Sequence, residues 1–335
     1  MNTDIEKKTI YYTVTSFIFF IYIFLLYKLP NDWFRDRDVY IIYAKHYDTF
    51  LQNDKSIKTF FNEPFFSQIA GIFQSNPDLF PTILSIFIAT TYFIYTIKKS
   101  ETFVTFTLGI SLLTFNSYLI FQQIFQLRQG LATALFVIIF FSIKNIKARI
   151  ILSSLLPFIH VAFFIISPIY ILYEIYLKNI KTTTLIIYTA TITTIFSIIS
   201  ISIMVALGFR QASLYESFNE TKGGGSLILH IILCLYVYFY GDKKDTRLYN
   251  WVILGLVFFI FSYFIFPPSG RLFGSFYPFI LLYLVSRSTT KNIIVLLILN
   301  AIFIYLFFSS SYLDMLTMDD FIFLPKLEKF ITDLF

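Results

Sequence analysis

The chain has 335 residues, of which 57% are hydrophobic and 14% charged, with 44 Phe and 24 Tyr. A soluble chain carries about 25% charge, and a chain this apolar lacks the polar residues to cover a water-facing globule, so lipid is the expected solvent for much of its surface. The net charge of +6 reads as a topology signal and not as a nucleic-acid signal.

Lys7 and Lys8 precede an apolar run over 10–29. It is too long for a signal-peptide core and has no small-residue cleavage site, so it is expected to be an uncleaved first span. A bilayer core of about 30 Å takes about 20 helical residues. Runs of near that length recur at 80–97, 102–121, 128–143, 150–177, 182–207, 226–240, 248–266, 272–286 and 292–308. Short basic clusters separate them: Lys98/Lys99, Lys144/Lys147/Arg149, Lys178/Lys181, Lys243/Lys244/Arg247 and Arg287/Lys291. With Lys7/Lys8 these fit the cytoplasmic side.

Segment 150–177 decides the parity. Basic clusters flank both ends, so it is expected to be two short helices or a re-entrant pair, broken near Pro157. Its apex then holds Phe158-Ile159-His160, and broken backbone at membrane depth needs protein or a wet cavity around it. The result is an all-α, polytopic transmembrane bundle of about eleven crossings, one domain over 1–335. The N-terminus is cytoplasmic. The outer side carries a long first loop 30–79 with interfacial helices, a turn 122–128, a second loop 208–225, a turn 267–271 and the tail 309–335.

The outer pieces gather the side chains capable of chemistry. Eleven of eighteen lysines fall in the cytoplasmic loops, whereas Arg35, Arg37, Arg128, Arg210 and Arg271, five of eight arginines, fall outside. Snorkelling at helix ends explains any single one; together they suit bidentate capture of phosphate. Arg128 and Gln129 stand at the outer head of a helix, whose N–H groups and dipole favour an anion. Arg271 follows a rigid Pro267-Pro268 turn. Arg210, Glu216 and three consecutive glycines (223–225) give a hinged loop suited to a lid. Asp36 and Asp38 form a carboxylate pair just after the first span. They suit a general base, a sugar hydroxyl or a divalent ion, or they pair with Arg35 and Arg37. Tyr43 and neighbouring tyrosines fit sugar stacking or an aromatic belt. His160 is an intramembrane ionisable group at an inferred apex. Cys234 is the single cysteine, and His46, His160 and His230 lack metal-ligand spacing, so neither a disulfide nor a zinc site is expected.

Four pieces occur in order: Asp38-x-Tyr40-x-x-Tyr43, Glu63-Pro64-x-Phe66, Arg128-Gln129-Gly130-Leu131-Ala132 and Phe158-x-His160-Val161-Ala162. Over roughly 35–165 this set resembles the EpsG-like and Wzy-type polysaccharide polymerases of bacterial envelopes, with Val39 interrupting the usual Asp-Tyr pair. The resemblance implies a GT-C-type fold in the inner membrane with its active site facing the periplasm. It implies the joining of undecaprenyl-diphosphate-linked oligosaccharide units with loss of undecaprenyl diphosphate. No cofactor or metal is implied. The partners are the lipid-linked oligosaccharides, the bilayer and a chain-length regulator protein. His160, Asp38 and Arg128 are then the catalytic candidates; Arg35, Asp36, Tyr43, Glu63, Gln129, Arg210, Glu216 and Arg271 are the binding candidates. The arginines would stabilise the leaving diphosphate, and His160 or Asp38 would take the acceptor proton. Two other readings stay open: a GT-C glycosyltransferase using a polyprenyl-phosphate sugar, with Asp36 and Asp38 on a metal, and a lipid-linked-sugar flippase. The second would need matched broken helices in two halves, which the sequence lacks.

Overall fold

A computed structural model describes residues 2–47, 63–206, 224–309, 328–330 and 332. Among them the regular structure is helical throughout. In chain order the α-helices are α1 Asn2–Lys28, α2 Arg37–Lys45, α3 Pro64–Gly71, α4 Leu79–Lys99, α5 Phe103–Phe115, α6 Ser117–Ile124, α7 Leu127–Ser142 and α8 Ile146–Leu155. They continue with α9 Phe163–Leu172, α10 Thr182–Ala206, α11 Gly225–Tyr240, α12 Thr246–Ser262, α13 Ser269–Gly274, α14 Tyr277–Val285 and α15 Thr290–Phe308. These bounds follow the expected spans closely, because apolar runs between basic clusters set both. The protein is a polytopic helical membrane protein. Phe17 and Phe20 of α1 stay 66% and 67% exposed, which suits a lipid solvent and not water.

Four of the described helices are long and apolar enough to cross a bilayer alone, namely those ending at Lys28, Lys99, Ser200 (within α10) and Phe308; α5 with α6 makes a fifth as a bent pair. Five further apolar helices are shorter. Two expected continuous spans are broken. The run 102–121 bends by 62° between α5 and α6. The cause is Asn116, whose ψ of 122° leaves the helical region. Its N–H closes α5 on the Leu112 carbonyl, while its own carbonyl accepts from Ile120 N–H and opens α6. Asn favours such caps over helix interiors. The run 272–286 is interrupted over 275–276 alone, α13 ending at Gly274 and α14 starting at Tyr277, within one apolar stretch Ser269–Val285.

The chain forms two compact units. The first comprises Met1–Asp48, Ser67–Leu131 and Leu284–Phe335. Here α1 packs on α4, α4 on α6, and α5 on α15. Leu26, Trp33, Phe34, Ala89, Ile120, Ile124 and Phe125 close a core at the C-terminal end of α1. The second comprises Thr49–Phe66 and Ala132–Tyr283. Its α12 packs on α10 and α11, and Trp251 is fully buried among Phe136, Tyr170, Tyr173 and Phe279.

Segment 150–177 folds back on itself as expected. Helix α8 ends in a 3-10 turn, Leu156–Phe158, with Pro157 in it; α9 runs the other way into a π turn, Tyr173–Leu177. The two limbs touch where Ser167 Oγ donates to the Ser153 carbonyl, 2.6 Å away. Their far ends meet where Arg149 Nη2 lies 2.9 Å from Glu174 Oε2. The segment is a hairpin with both ends on one side of its unit.

Candidate functional site

The first unit brings two of the sequence motifs together. The chain leaves α1 through a 3-10 turn, Asn31–Trp33, and enters α2 at Asp36, which has a left-handed φ of 65°. Arg37 then turns inward and is fully buried. Its Nε donates to the Ile124 carbonyl, Nη1 to Asn31 Oδ1 and Nη2 to Ser85 Oγ, each at 2.8 Å. Burial lowers its pKa from the ordinary value to about 10, so the group stays charged at neutral pH. This corrects its expected place among the outer anion-binding arginines: its donors are directed at protein atoms and fasten α2 to α4 and α6.

Tyr40 is buried, and its hydroxyl donates to the Phe125 carbonyl at 2.8 Å. The Arg128 guanidinium lies 5.7 Å from the Tyr40 ring centre and 5.8 Å from that of Tyr43. Ring contact on a guanidinium is worth about 0.5–1 kcal/mol at a half-exposed site, and it orients the N–H donors in the guanidinium plane. The tyrosines of the first motif therefore position the arginine of the third. Arg128 is in the first turn of α7, beside the buried Gln129. Gly130 follows because a Cβ there would run into the Gln122 carbonyl oxygen and the Ile88 side chain. Asp38 is exposed, roughly 140° around α2 from Tyr43 by helical spacing, so it does not share the Arg128 edge. Arg35 is half-buried and Asp36 exposed.

The second unit joins the other two motifs. Glu63, at a left-handed φ of 59°, is buried, and its Oε1 accepts the Val161 N–H at 3.1 Å. Phe65 packs on Phe158 with ring centres 5.2 Å apart. Glu63 is thus a brace on the hairpin apex, beyond the substrate contact expected of it. At that apex His160 is 9% exposed, and its Nδ1 accepts the Ala162 N–H at 3.0 Å. A backbone N–H only donates, so the proton of the neutral ring is on Nε2. In this state His160 offers a hydrogen bond from Nε2. Arg271 is exposed within the six-residue α13. His230 is a core residue: its Nδ1 donates to the Ser226 carbonyl at 2.6 Å, and its ring meets Phe259 and Phe273 edge-on. Arg210 and Glu216 lie outside the described residues.

Sequence reasoning missed the carboxylate at the hairpin base. Glu174 is fully buried. It receives Arg149 Nη2 at 2.9 Å, Arg247 Nε at 2.8 Å and the Tyr170 hydroxyl at 2.8 Å. Lys178 Nζ stands 3.8 Å away. Arg247 also lies 3.8 Å over the Phe140 ring. A lone acid between apolar residues was the available signal, since a buried carboxylate demands partners.

The ordered motifs thus fall into two pairs, one in each unit. The EpsG family profile matches residues 8–323. The chain belongs to the EpsG family. The match extends well past the motifs that carried the resemblance and takes in α10 to α15. EpsG proteins are polysaccharide polymerases of a glycosyltransferase-like kind, and Wzy-type polymerases are consistent with the match. No curated protein and no solved structure matches this chain.

Proposed function

We propose that this EpsG protein joins undecaprenyl-diphosphate-linked oligosaccharide repeat units at the periplasmic face of the bacterial inner membrane. The observation that carries the reading is Arg128, seated against Tyr40 and Tyr43 in the first turn of α7. A hydroxyl of the acceptor unit attacks the anomeric carbon of the donor's first sugar. The bond from that carbon to the diphosphate oxygen breaks, and the electron pair leaves with undecaprenyl diphosphate. Charge grows on the diphosphate in the transition state, and a preoriented guanidinium at a helix N-terminus stabilises it. Arg271 and Arg210 are the further candidates for that charge. His160 remains a candidate for a hydrogen bond to a sugar or for taking the acceptor proton. Otherwise that proton passes to a carboxylate, for which Asp38 is the candidate, or to the departing diphosphate. Asp36, Arg35, Gln129 and Glu216 remain candidates for holding the sugars.

The hairpin supports the orientation. At 1.5 Å per residue its limbs rise about 15 and 22 Å, short of a 30 Å hydrocarbon core. A re-entrant pair entering from the cytoplasmic side fits the basic clusters at its base, and its apex then reaches the middle of the membrane.

The test is complementation in a strain lacking its polymerase, with purified protein and lipid-linked repeat units as the second arm. Wild type makes a ladder of polymer, and Arg128→Ala leaves single units on the lipid. Polymer from Arg128→Ala at wild-type rate would sink the diphosphate role. A requirement for a polyprenyl-monophosphate sugar, with loss of activity in EDTA, would favour the single-sugar transferase.

A further inference from the structure

The hairpin base in the second unit holds two recesses that the polymerase reading does not use. One is a cavity of about 390 Å³ lined by Lys178, Asn179, Ile180, Thr246 and Arg247. The other is a narrow apolar crevice of about 30 Å³ between α9, α10 and α12, with Leu172, Leu177, Ile192, Leu254 and Phe258 in its walls. The two are consecutive along the same helices. Leu177 of the crevice adjoins Lys178 of the cavity in the chain, and Leu254 stands about two turns along α12 from Arg247.

The cavity is electropositive. Lys178 and Arg247 line it, Arg149 joins them on Glu174, and the adjoining segments 143–149, 178–181 and 242–247 carry eight basic residues against two acids in sequence. Glu174 is shared among Arg149, Lys178 and Arg247. Asp245 accepts the Leu248 N–H and Asp242 the Lys244 N–H, so both acids have helix or turn donors to answer. Lys178 and Arg247 keep 31% and 26% of their side chains exposed, and Phe140 under Arg247 fixes where that guanidinium lies. The crevice is the opposite in character. Leu172 and Ile192 stay 43% and 47% exposed, and its neutral walls repel no hydrocarbon.

We propose that this recess binds one anionic phospholipid, with its phosphate in the Lys178–Arg247 cavity and one acyl chain along the crevice. Charge complementarity selects the headgroup. The apolar continuation selects a lipid over a free anion. Basic pockets between membrane helices at the cytoplasmic side are where anionic headgroups collect in general. The bound lipid ties α9, α10 and α12 together at the foot of the hairpin that carries His160. The inference stands whether or not the protein is a polymerase.

The purified full chain is titrated with phosphatidylglycerol, phosphatidylcholine, glycerol phosphate and inorganic phosphate, and followed by native mass spectrometry and thermal melting. Phosphatidylglycerol is expected to remain bound and raise the melting temperature, while the other three do neither. Lys178→Gln removes one cation and should weaken binding about fivefold. Thr246→Asp adds an acid at the rim in the first turn of α12, where it suits the helix, and should weaken binding at least as much without unfolding the chain. Ile192→Trp fills the crevice and should weaken the lipid further. Equal binding of phosphatidylcholine, binding of either soluble phosphate as tight as the lipid's, or unchanged affinity in Lys178→Gln and Thr246→Asp proteins that melt normally would each overturn the proposal.

Discussion

Glu174→Gln leaves the shape of the hairpin base intact and removes its only buried negative charge among the described contacts. The carboxylate, fully buried, receives Arg149 and Arg247 nitrogens at 2.9 and 2.8 Å and the Tyr170 hydroxyl at 2.8 Å. Breaking a buried pair by neutralising one partner costs about 3–5 kcal/mol, because the other charge is left uncompensated. Arg149 is 10% exposed and bears most of this, while Arg247 at 26% is partly screened by solvent. The expected loss is about 3 kcal/mol. At on the order of 2 °C per kcal/mol for a chain of this size, the melting temperature falls by about 6 °C. Tryptophan fluorescence is the assay, since Trp251 has its ring centre 5.4 Å from that of Tyr170. A triple change of Arg149, Glu174 and Arg247 to Met should melt closer to wild type than Glu174→Gln does, because no charge is then stranded. A Glu174→Gln protein that melts within about 1 °C of wild type would refute the reasoning, as would a triple variant less stable than the single one.

Gly130→Ala forces a Cβ against the Gln122 carbonyl and should cost about 1–3 kcal/mol; polymer yield should fall with it as Arg128 is displaced, and an unchanged melting curve would refute the close packing. Glu63→Ala removes the acceptor for Val161 N–H at about 1.5–3 kcal/mol, read as faster hydrogen exchange at 158–162, whereas Glu63→Gln keeps an acceptor and should be milder. Arg37→Lys keeps the charge but cannot reproduce three directed bonds, so a loss of about 2 kcal/mol is expected. Arg37 should add no pH dependence to wild-type stability between about pH 6 and 9: its folded value of about 10 and its higher unfolded value both lie above that window, so neither state releases the proton there. Tyr43→Phe should retain polymerisation, and Tyr43→Ala should lower it several-fold, because the ring and not the hydroxyl meets Arg128.

Local chemistry made most of the helices legible. Basic clusters delimit apolar runs, and the break in 150–177 announced itself through Pro157 and through a length that suits neither one span nor two. The break at Asn116 carries no such mark: it is one of several polar residues in the run, with Thr105, Thr107, Ser111, Thr114 and Ser117, and only the extended ψ singles it out. The site was legible as motifs but not as pairs. Nothing in the sequence ties Glu63 to Val161, which is 98 residues away, or directs the two tyrosines at Arg128. Arg37 was misread because an arginine in an outer loop looks like its neighbours Arg35 and Arg128, and its burial depends on acceptors from Asn31, Ser85 and Ile124. Glu174 was passed over for a related reason, since its two arginines had already been assigned to basic loops.

The hairpin base also sets an order of events during synthesis. Arg149 precedes Glu174 by 25 residues, but Arg247 follows it by 73. At about 5–20 residues per second, the second arginine emerges roughly 4–15 s after the acid. Throughout that interval Arg149, with Lys178 farther off at 3.8 Å, is the cation that hydrogen-bonds Glu174. Loss of Arg149 should therefore lower the amount of protein that inserts, whereas loss of Arg247 should lower the stability of protein already inserted.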